Sequence, residues 1–270
     1  MLKHINPFCC LVAVVIGLSL SGCTSIPSET QVNEHQSLGE TSAVNQDVVN
    51  NTDNTASAVS QDAQLAQQLR SSENYYTATK RVFSEKEAAR FNLALDHFGD
   101  GEFDKATQVA EELIEADPTA TPSHQPSSSP SAVWVLLGDI ARALDDNNLA
   151  IAHYTQAVDR NQYNYYALNR LGTLARENGE FQQAQQFYLN AIKAWPGYQN
   201  AHYNLGILLD LYVGDKVSAL EYYGNYYALL RYPDTQADQQ VDMRLVKQVE
   251  RWIADVNRQI PATARGSSDE

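Results

Sequence analysis

The sequence predicts an all-α fold, a solenoid of about four helical repeats that occupies residues 84–260 and ends in a C-terminal capping helix. The first observation is that Gly138, Gly172 and Gly206 follow one another at a constant interval, each directly after a leucine. The second is that apolar residues around these glycines recur at helical spacing. A fixed period of about 20–50 residues indicates a repeat architecture, whose units must stack to bury their apolar faces.

The copy at residues 165–198 shows how one repeat is built. Leu168, Leu171, Gly172 and Ala175 share one face of a first helix, at the i, i+3, i+4, i+7 spacing of an amphipathic helix. The second helix carries the matching inner face, formed by Phe181, Ala184, Tyr188 and Ala191. Small residues allow the two backbones to approach, and the large residues beside them fill the groove.

This pattern resembles the tetratricopeptide repeat (TPR), a helix-turn-helix unit whose length of about 34 residues equals the interval between the glycines. The resemblance implies a TPR solenoid with repeats near residues 87–120, 131–164, 165–198 and 199–232. A four-helix bundle would also account for the helical pattern, but it does not account for the constant interval. The capping helix is expected at residues 239–260, where Val241, Leu245, Val249 and Trp252 recur at helical spacing.

Two repeats depart from the pattern. The last one carries an extra residue around Asp210–Gly214, which we expect to distort or lengthen its turn. In the first one Ala94 stands where the other copies have glycine. Between the first two repeats lies a Ser/Pro-rich insert, Thr121–Pro130, whose composition predicts an exposed loop. Residues 261–270 are expected to form a disordered tail.

The N-terminus has the order of features of a secretory signal peptide at residues 1–22. A basic start is followed by an apolar run from Phe8 to Leu20 and then by small residues before Cys23. The run is shorter than the roughly 20 apolar residues that span a bilayer, so a retained transmembrane helix is the weaker interpretation. An ordinary signal peptide that happens to contain cysteine is the other alternative.

The tetrapeptide Leu20-Ser21-Gly22-Cys23 resembles the lipobox of bacterial lipoproteins. The resemblance implies that Cys23 receives a diacylglycerol, becomes the mature N-terminus and is acylated, for example with palmitate. Thr24 follows, whereas an aspartate there would resemble an inner-membrane retention signal. We therefore expect a lipid-anchored protein of the outer membrane that faces the periplasm.

Residues 23–75 are predicted to form a disordered tether. The part up to about residue 60 is rich in Ser, Thr, Asn and Gln and has no aromatic residue, so it cannot bury enough apolar surface to become ordered. Helix formers return from about Gln61, which leaves room for a loosely docked helix at the end of the tether. The formal net charge of −14, with no basic stripe, argues against a nucleic-acid partner.

The sequence shows no catalytic or metal-binding motif, which predicts a protein that is not an enzyme and that needs no cofactor or metal. The sequence contains no phosphate-binding Gly-rich loop, no HExxH motif and no nucleophile elbow. None of its six histidines lies three or four residues from another, and after maturation only Cys23 would remain of the three cysteines. The alternative class is an envelope enzyme or a small-ligand-binding protein without a recognisable catalytic motif.

In TPR proteins the first helices of successive repeats line a concave groove that binds peptides or partner helices. By register, the resemblance places five candidate binding residues in this groove: Arg142, Tyr166, Asn169, Arg176 and Tyr203. Six further groove positions follow from the same register: Val135, Asp139, Thr173, Asn200, Ile207 and Asp210. Arg142 and Arg176 are equivalent, so they could form a two-arginine rail for a carboxylate or an acidic peptide. The alternative is that these positions are ordinary solvated polar residues.

A second candidate surface is the tyrosine-rich helix that contains Tyr222, Tyr223, Tyr226 and Tyr227. Tyrosine suits interfaces because its ring is large and its hydroxyl tolerates water. The alternative is that these rings pack against the capping helix through Trp252.

The sequence as a whole resembles tetratricopeptide lipoproteins that act as pilotins for pilus secretins or as adaptors for peptidoglycan-remodelling enzymes. The ending ERWIADVNRQ also resembles TPR proteins that accompany TonB-type energy-transducing systems. The resemblance implies an adaptor that binds protein partners through the groove, and it is compatible with a homo-oligomer.

Overall fold

The computed structural model describes residues 61–115, 130–233 and 241–261, which form helices joined by short connections and contain no strand. The signal peptide, Cys23, the tether before residue 61, most of the Thr121–Pro130 insert and the predicted tail lie outside these residues. The helices in chain order are α1 (61–71), α2 (Tyr75–Thr79), α3 (Glu85–Gly99), α4 (Phe103–Glu115), α5 (Ser131–Ala143), α6 (Asn147–Arg160), α7 (Tyr165–Glu177), α8 (Phe181–Ala194), α9 (Gln199–Ile207), α10 (Lys216–Arg231) and α11 (Met243–Gln259).

Helices α3–α10 form four consecutive pairs, in which each helix packs mainly on its pair partner and then on the next pair. The first helices α5, α7 and α9 begin at Ser131, Tyr165 and Gln199, at the same constant interval as the glycines. The all-α repeat solenoid predicted from the sequence is therefore confirmed. None of the helices in the described part has the length and apolar content needed to cross a membrane.

Polar side chains cap the starts of several of these helices. Asn164 accepts a hydrogen bond from the Ala167 N–H at the start of α7, and Asp146 accepts one from the Leu149 N–H at the start of α6. Such caps satisfy N–H groups that have no partner within the helix. At these two loops the capping residue favours a new helix directly after the chain reverses direction.

The repeated glycine provides space for a tyrosine ring of the paired helix. A Cβ atom on Gly138 would lie 2.4 Å from Tyr154, and one on Gly172 would lie 2.6 Å from Tyr188. Both tyrosines are completely buried, so their rings rest directly on the backbone of the first helix. Gly206 and Tyr223 repeat the contact.

The first repeat has a different pair of residues at the glycine and tyrosine positions. Ala94 occupies the glycine position, and Ala110 occupies the position of the tyrosine in the paired helix α4. Both alanines are fully buried. Because a methyl group on α3 leaves no room for a ring on the backbone, the partner position is small as well. The departure at Ala94 is therefore compensated within its own helix pair.

The extra residue of the last repeat is accommodated at the C-terminal end of α9, where the helix becomes π-helical. Helix α9 continues directly into a π-helix, Leu208–Val213, which ends at Gly214. A π-helical stretch is the usual way to insert a residue into an α-helix without ending it. The sequence predicted a distorted or longer turn here. The structure instead widens the end of the first helix, and it leaves Leu211 and Val213 exposed.

The turn between paired helices needs a left-handed residue, and one repeat lacks a glycine for it. Gly101, Gly179 and Gly214 have φ of 76°, 80° and 84°, whereas the equivalent Asp145 has φ of 61° and is the sole non-glycine residue with positive φ among those described. A residue with a Cβ atom pays about 1–2 kcal/mol in this conformation, although aspartate tolerates it better than most.

We therefore expect Asp145→Gly to raise the free energy of unfolding by about 0.5 kcal/mol, because relief of the left-handed strain slightly exceeds the added flexibility of the unfolded chain. Urea denaturation of the wild-type protein and the variant measures the difference. Gly179→Asp, at the same turn of the next repeat, is the matched control and should lower stability. A less stable Asp145→Gly variant would contradict this account of the turn.

Helix α11 covers the last repeat, as the sequence predicted for residues 239–260. It packs on α10 and buries Val246, Val249 and Val256. The hydroxyl group of Tyr227 donates a hydrogen bond of 2.8 Å to Glu250 of this helix. Tyr223 and Tyr226 of the tyrosine-rich helix are buried. The packing interpretation of that helix is therefore the one that the structure supports for these three tyrosines.

The predicted tether boundary at residue 75 is wrong at its C-terminal end. Residues 61–71 are helical, Ala66 is 1% exposed and Tyr76 is 7% exposed. Burial of these side chains against the repeats offsets the entropy lost on ordering the segment. The folded part of the protein therefore begins no later than residue 61.

Candidate peptide-binding surface

The five candidate groove residues all lie on first helices, but they differ in accessibility. Arg142 of α5 and Arg176 of α7 are partly buried, and Tyr166 is 42% exposed. Asn169 is 2% exposed, and Tyr203 of α9 is half-buried. The groove is thus not a uniform row of free polar side chains.

Arg142 is already paired within the protein. Its guanidinium donates two hydrogen bonds, of 2.7 and 2.5 Å, to the carboxylate of Glu177 in the next repeat, and a third, of 2.6 Å, to Asn147. The two-arginine rail predicted from the sequence is therefore wrong for this structure, because Arg142 is not a free cation. The pair is partly exposed, and such pairs contribute only about 0.2–1 kcal/mol.

Arg176 interacts with the hydroxyl groups of Tyr188 and Tyr212 and with no carboxylate among the described residues. Its Nη1 lies 3.4 Å from the hydroxyl oxygen of Tyr212, and its guanidinium carbon lies 5.6 Å from the centre of that ring. Its Nε–H is buried and has no hydrogen-bond acceptor among the described residues. A buried donor without an acceptor costs about 1–3 kcal/mol. Because this atom has no exposed surface, a ligand would reach Arg176 through the exposed part of its guanidinium.

Tyr203 and Tyr212 flank this arginine, and we call these three residues the Arg176 site. Burial raises the pKa of Tyr203, and the nearby positive charge of Arg176 opposes that rise. The Tyr203 ring packs on Tyr226 and stacks on Trp252, at centroid distances of 4.9 and 6.1 Å. Sequence reasoning missed Tyr212, which lies in the π-helix, although the one-residue insertion pointed to this stretch.

Asn169 holds repeats together and is not accessible to a ligand. Its side-chain oxygen accepts a hydrogen bond of 2.9 Å from the amide of Asn204, which joins α7 to α9. The prediction that Asn169 lines an open groove is therefore wrong. A polar group buried at an interface needs a partner, and the pair of asparagines satisfies this requirement.

Asp139, another predicted groove position, is also engaged. It accepts a hydrogen bond of 2.6 Å from the Tyr154 hydroxyl and one of 2.8 Å from Arg170 Nε in the next repeat. Burial and the adjacent Asp139 carboxylate raise the pKa of Tyr154, so this hydroxyl remains a donor at neutral pH. The network ties three helices together instead of facing a ligand.

A cluster of aromatic rings lies at the start of α7. Tyr165 packs against Tyr198 and Trp195, with ring centroids 4.6 and 5.3 Å apart, and Tyr166 packs edge-on against Tyr198 at 5.4 Å. Burial raises the pKa of Tyr198 to about 12. Tyr76 of α2 completes the cluster from outside the repeats, at 5.5 Å from Tyr165. Only Tyr166 of this cluster was among the candidates.

Within residues 61–115, 130–233 and 241–261, no group of three or more His, Cys, Asp or Glu side chains could hold a metal ion.

Comparisons with known proteins agree with the repeat architecture. A family model described as the fifth ARM-repeat domain of TT21 matches residues 131–227. The structure is similar to the crystal structure of MamA, with 19% identity over 65% of this chain and 88% of that chain, and a TM-score of 0.44. It is also similar to PilF of Pseudomonas aeruginosa, with 20% identity over 68% of this chain and 94% of that chain, and a TM-score of 0.44. No curated protein matches the chain.

A further similar structure is that of YrrB, described as a TPR protein with an unusual peptide-binding site, with 18% identity over 61% of this chain and 74% of that chain, and a TM-score of 0.43. The four helix pairs and their constant interval define the class. The chain is an all-α helical repeat protein whose solenoid resembles those of TPR and ARM-repeat proteins.

Proposed function

We propose that this protein is a lipid-anchored TPR adaptor that binds protein partners in a periplasmic or outer-membrane assembly. The observation that supports it most directly is the partly exposed guanidinium of Arg176, which lies beside the exposed Tyr212 and, unlike that of Arg142, forms no salt bridge among the described residues. An arginine fork next to an aromatic ring suits a carboxylate or a backbone carbonyl of a bound peptide.

The net charge of the protein limits which partners the Arg176 site favours. With a net charge of −14, the body repels a strongly acidic chain at long range. The Arg176 site therefore favours a neutral or basic partner that presents a single carboxylate, either an acidic side chain or a C-terminus. Arg142 can add a second contact only by leaving Glu177, which makes it the weaker contributor.

The proposed localisation rests on the lipobox-like sequence before Cys23. Acylated Cys23 would anchor the protein in the outer membrane, and the roughly 37 residues between Cys23 and residue 61 would span about 35 Å as the tether that their composition predicts. This reach would let the repeats search for partners at a distance from the lipid. The assemblies proposed from the sequence are a pilus secretin, a cell-wall-remodelling complex or a TonB-type transport system.

Arg176→Ala should reduce partner cross-linking in intact cells at least tenfold, because it removes the guanidinium group of the site. The melting temperature should change little, since the substitution removes no core side chain. A photo-activatable residue placed at the exposed Leu211, next to the site, measures cross-link yield in the wild-type and variant backgrounds. Arg258→Ala, which affects an exposed arginine on α11, is the control and should cross-link like the wild type. Equal yields in all three proteins would rule out the Arg176 site.

Cys23→Ala should abolish labelling by palmitate analogues and release the protein from the membrane fraction, because a single thiol carries the proposed anchor. Metabolic labelling followed by membrane fractionation measures both effects. Cys10→Ala is the control, because this cysteine leaves with the predicted signal peptide and its loss should change neither result. A Cys23→Ala protein that is cleaved and still fractionates with the outer membrane would contradict the anchor.

A further inference from the structure

The segment formed by α1 and α2 lies across repeats that are distant from it in sequence. The guanidinium of Arg70 donates hydrogen bonds to the backbone carbonyls of Leu229 and Tyr232, at the C-terminal end of α10. Carbonyls at a helix C-terminus lack intrahelical partners and carry partial negative charge, so a cation is favoured there. This contact holds one end of the segment on the last repeat.

The other end of the segment inserts Tyr76 into a pocket on the second and third repeats. Its ring contacts Tyr165 and Tyr166 edge-on, at centroid distances of 5.5 and 6.1 Å. Its hydroxyl lies 3.4 Å from Ser131 Oγ, which in turn accepts a hydrogen bond of 3.1 Å from Asn164 Nδ2. Ser131 and Asn164 are both buried polar residues. We call the four residues around Tyr76 (Ser131, Asn164, Tyr165 and Tyr166) the Tyr76 pocket.

This pocket has the composition of a site for a tyrosine side chain. Two aromatic rings form its apolar walls, and the Ser131–Asn164 pair forms a polar end at the depth of the hydroxyl group. A buried pair that lost this hydroxyl would lose one of its hydrogen-bonding neighbours, which would favour tyrosine over phenylalanine. The pocket therefore selects both the ring and its oxygen.

The residues around Tyr76 are bound in the manner of a peptide. Tyr75 stacks on Tyr163 at 5.2 Å, and Thr79 accepts a hydrogen bond of 3.1 Å from the side-chain amide of Asn161. Helix α2 has five residues, which is far below the length at which a helix is stable alone. Its order therefore comes from the surface on which it lies, and that surface can order another segment in the same way.

We propose that the Tyr76 pocket is a docking site for a tyrosine-bearing segment of a protein partner, and that residues 70–80, which we call the strap, occupy it in cis as an intramolecular competitor. The pocket shares no residue with the Arg176 site, so the proposal stands independently of that site. A segment carried on the same chain as its pocket binds it intramolecularly, which gives the segment a high effective concentration. A partner must therefore bind more tightly than the strap or act where the strap has been released.

The test uses the full mature chain and a fluorescein-labelled synthetic peptide of residues 70–81 as the probe. Fluorescence anisotropy should show that the Tyr76→Ala protein binds this peptide at least tenfold more tightly than the wild type, because the strap no longer competes. A peptide with alanine in place of its second tyrosine should not bind. Tyr166→Ala, combined with Tyr76→Ala, should weaken binding several-fold, and it is suitable because Tyr166 is exposed and its loss should not prevent folding.

Hydrogen exchange on the same proteins gives an independent readout. Amides of residues 70–80 should lose protection in Tyr76→Ala, whereas those of α7 and α8 should keep it. The proposal fails if the peptide does not bind Tyr76→Ala, if the alanine peptide binds equally well, or if the strap remains protected. Light scattering tests whether the strap binds its own chain. If the wild-type protein is a dimer and the Tyr76→Ala variant is a monomer, the strap binds a second copy and the cis arrangement is wrong.

Discussion

Replacing Gly172 with leucine should lower the free energy of unfolding by about 3 kcal/mol or more. A Cβ atom alone would lie 2.6 Å from Cε1 of Tyr188, which is completely buried and cannot move aside. Overpacking of a dense interior costs about 1–3 kcal/mol even where side chains can adjust, and here the backbone itself must separate. Typical domains have only about 5–15 kcal/mol of stability in total, so the array should melt at a much lower temperature.

Circular dichroism during urea and thermal unfolding measures this loss. Gly224→Leu is the matched control, because Gly224 lies within α10 and has no heavy atom within 4 Å of its Cβ position. That variant should be as stable as the wild type or more stable, since glycine is a poor helix former. Similar losses in both variants would show that the Gly172–Tyr188 contact does not set the stability of the repeat.

The first repeat suggests how the loss can be rescued. Because Ala94 and Ala110 replace the glycine and the tyrosine together, the double variant Gly172→Ala/Tyr188→Ala reproduces a packing that this protein already uses. Each single substitution should destabilise, one by overpacking and the other by leaving a cavity. The double variant should lose less stability than the sum of the two, because residues in contact are coupled.

The fold was predictable from sequence because its determinants are local and periodic. The glycine pattern reflects contacts within one helix pair, such as that of Gly172 with Tyr188, and a pattern search detects residues so close along the chain. The cap α11 was predictable for the same reason, since its apolar stripe lies on one helix. The extra residue near Asp210 was visible, but its accommodation as a π-helix depends on side chains that pack around it.

The surface was less predictable because its residues find partners far along the chain. Arg142 and Arg176 are equivalent in register, yet among the described residues only Arg142 meets a carboxylate, that of Glu177 in the next repeat. Tyr76 contacts Tyr165 across a long stretch of chain that no period connects. Register therefore identifies the helix face that a side chain occupies, whereas its availability depends on what the neighbouring repeat presents.

Lowering the pH should destabilise the fold through His202 in α9. This side chain is 1% exposed, and its Nε2 lies 2.8 Å from the carbonyl oxygen of Pro196. Because a carbonyl can only accept, Nε2 carries the proton of a neutral ring. Nδ1 is buried and has no partner among the described residues. Protonating it would place a charge in the interior without a compensating group.

Burial lowers the pKa of His202, and the hydrogen bond to Pro196 only partly opposes this effect. The unfolded chain keeps the ordinary value of about 6.5. Below that pH the unfolded state binds a proton that the folded state does not, so stability falls as the pH falls. Each pH unit over which the folded ring stays neutral costs about 1.4 kcal/mol.

Urea denaturation between about pH 7.5 and pH 5.5 should therefore show a falling free energy of unfolding in the wild-type protein and a flatter profile in His202→Gln, whose amide can still donate to Pro196. His153→Gln serves as the comparison, because burial also lowers the pKa of His153, but that side chain is less buried and the charges of Glu111 and Asp146 oppose the shift. Its effect on the slope should be smaller. Identical slopes for the wild type and His202→Gln would show that the buried imidazole does not couple folding to pH.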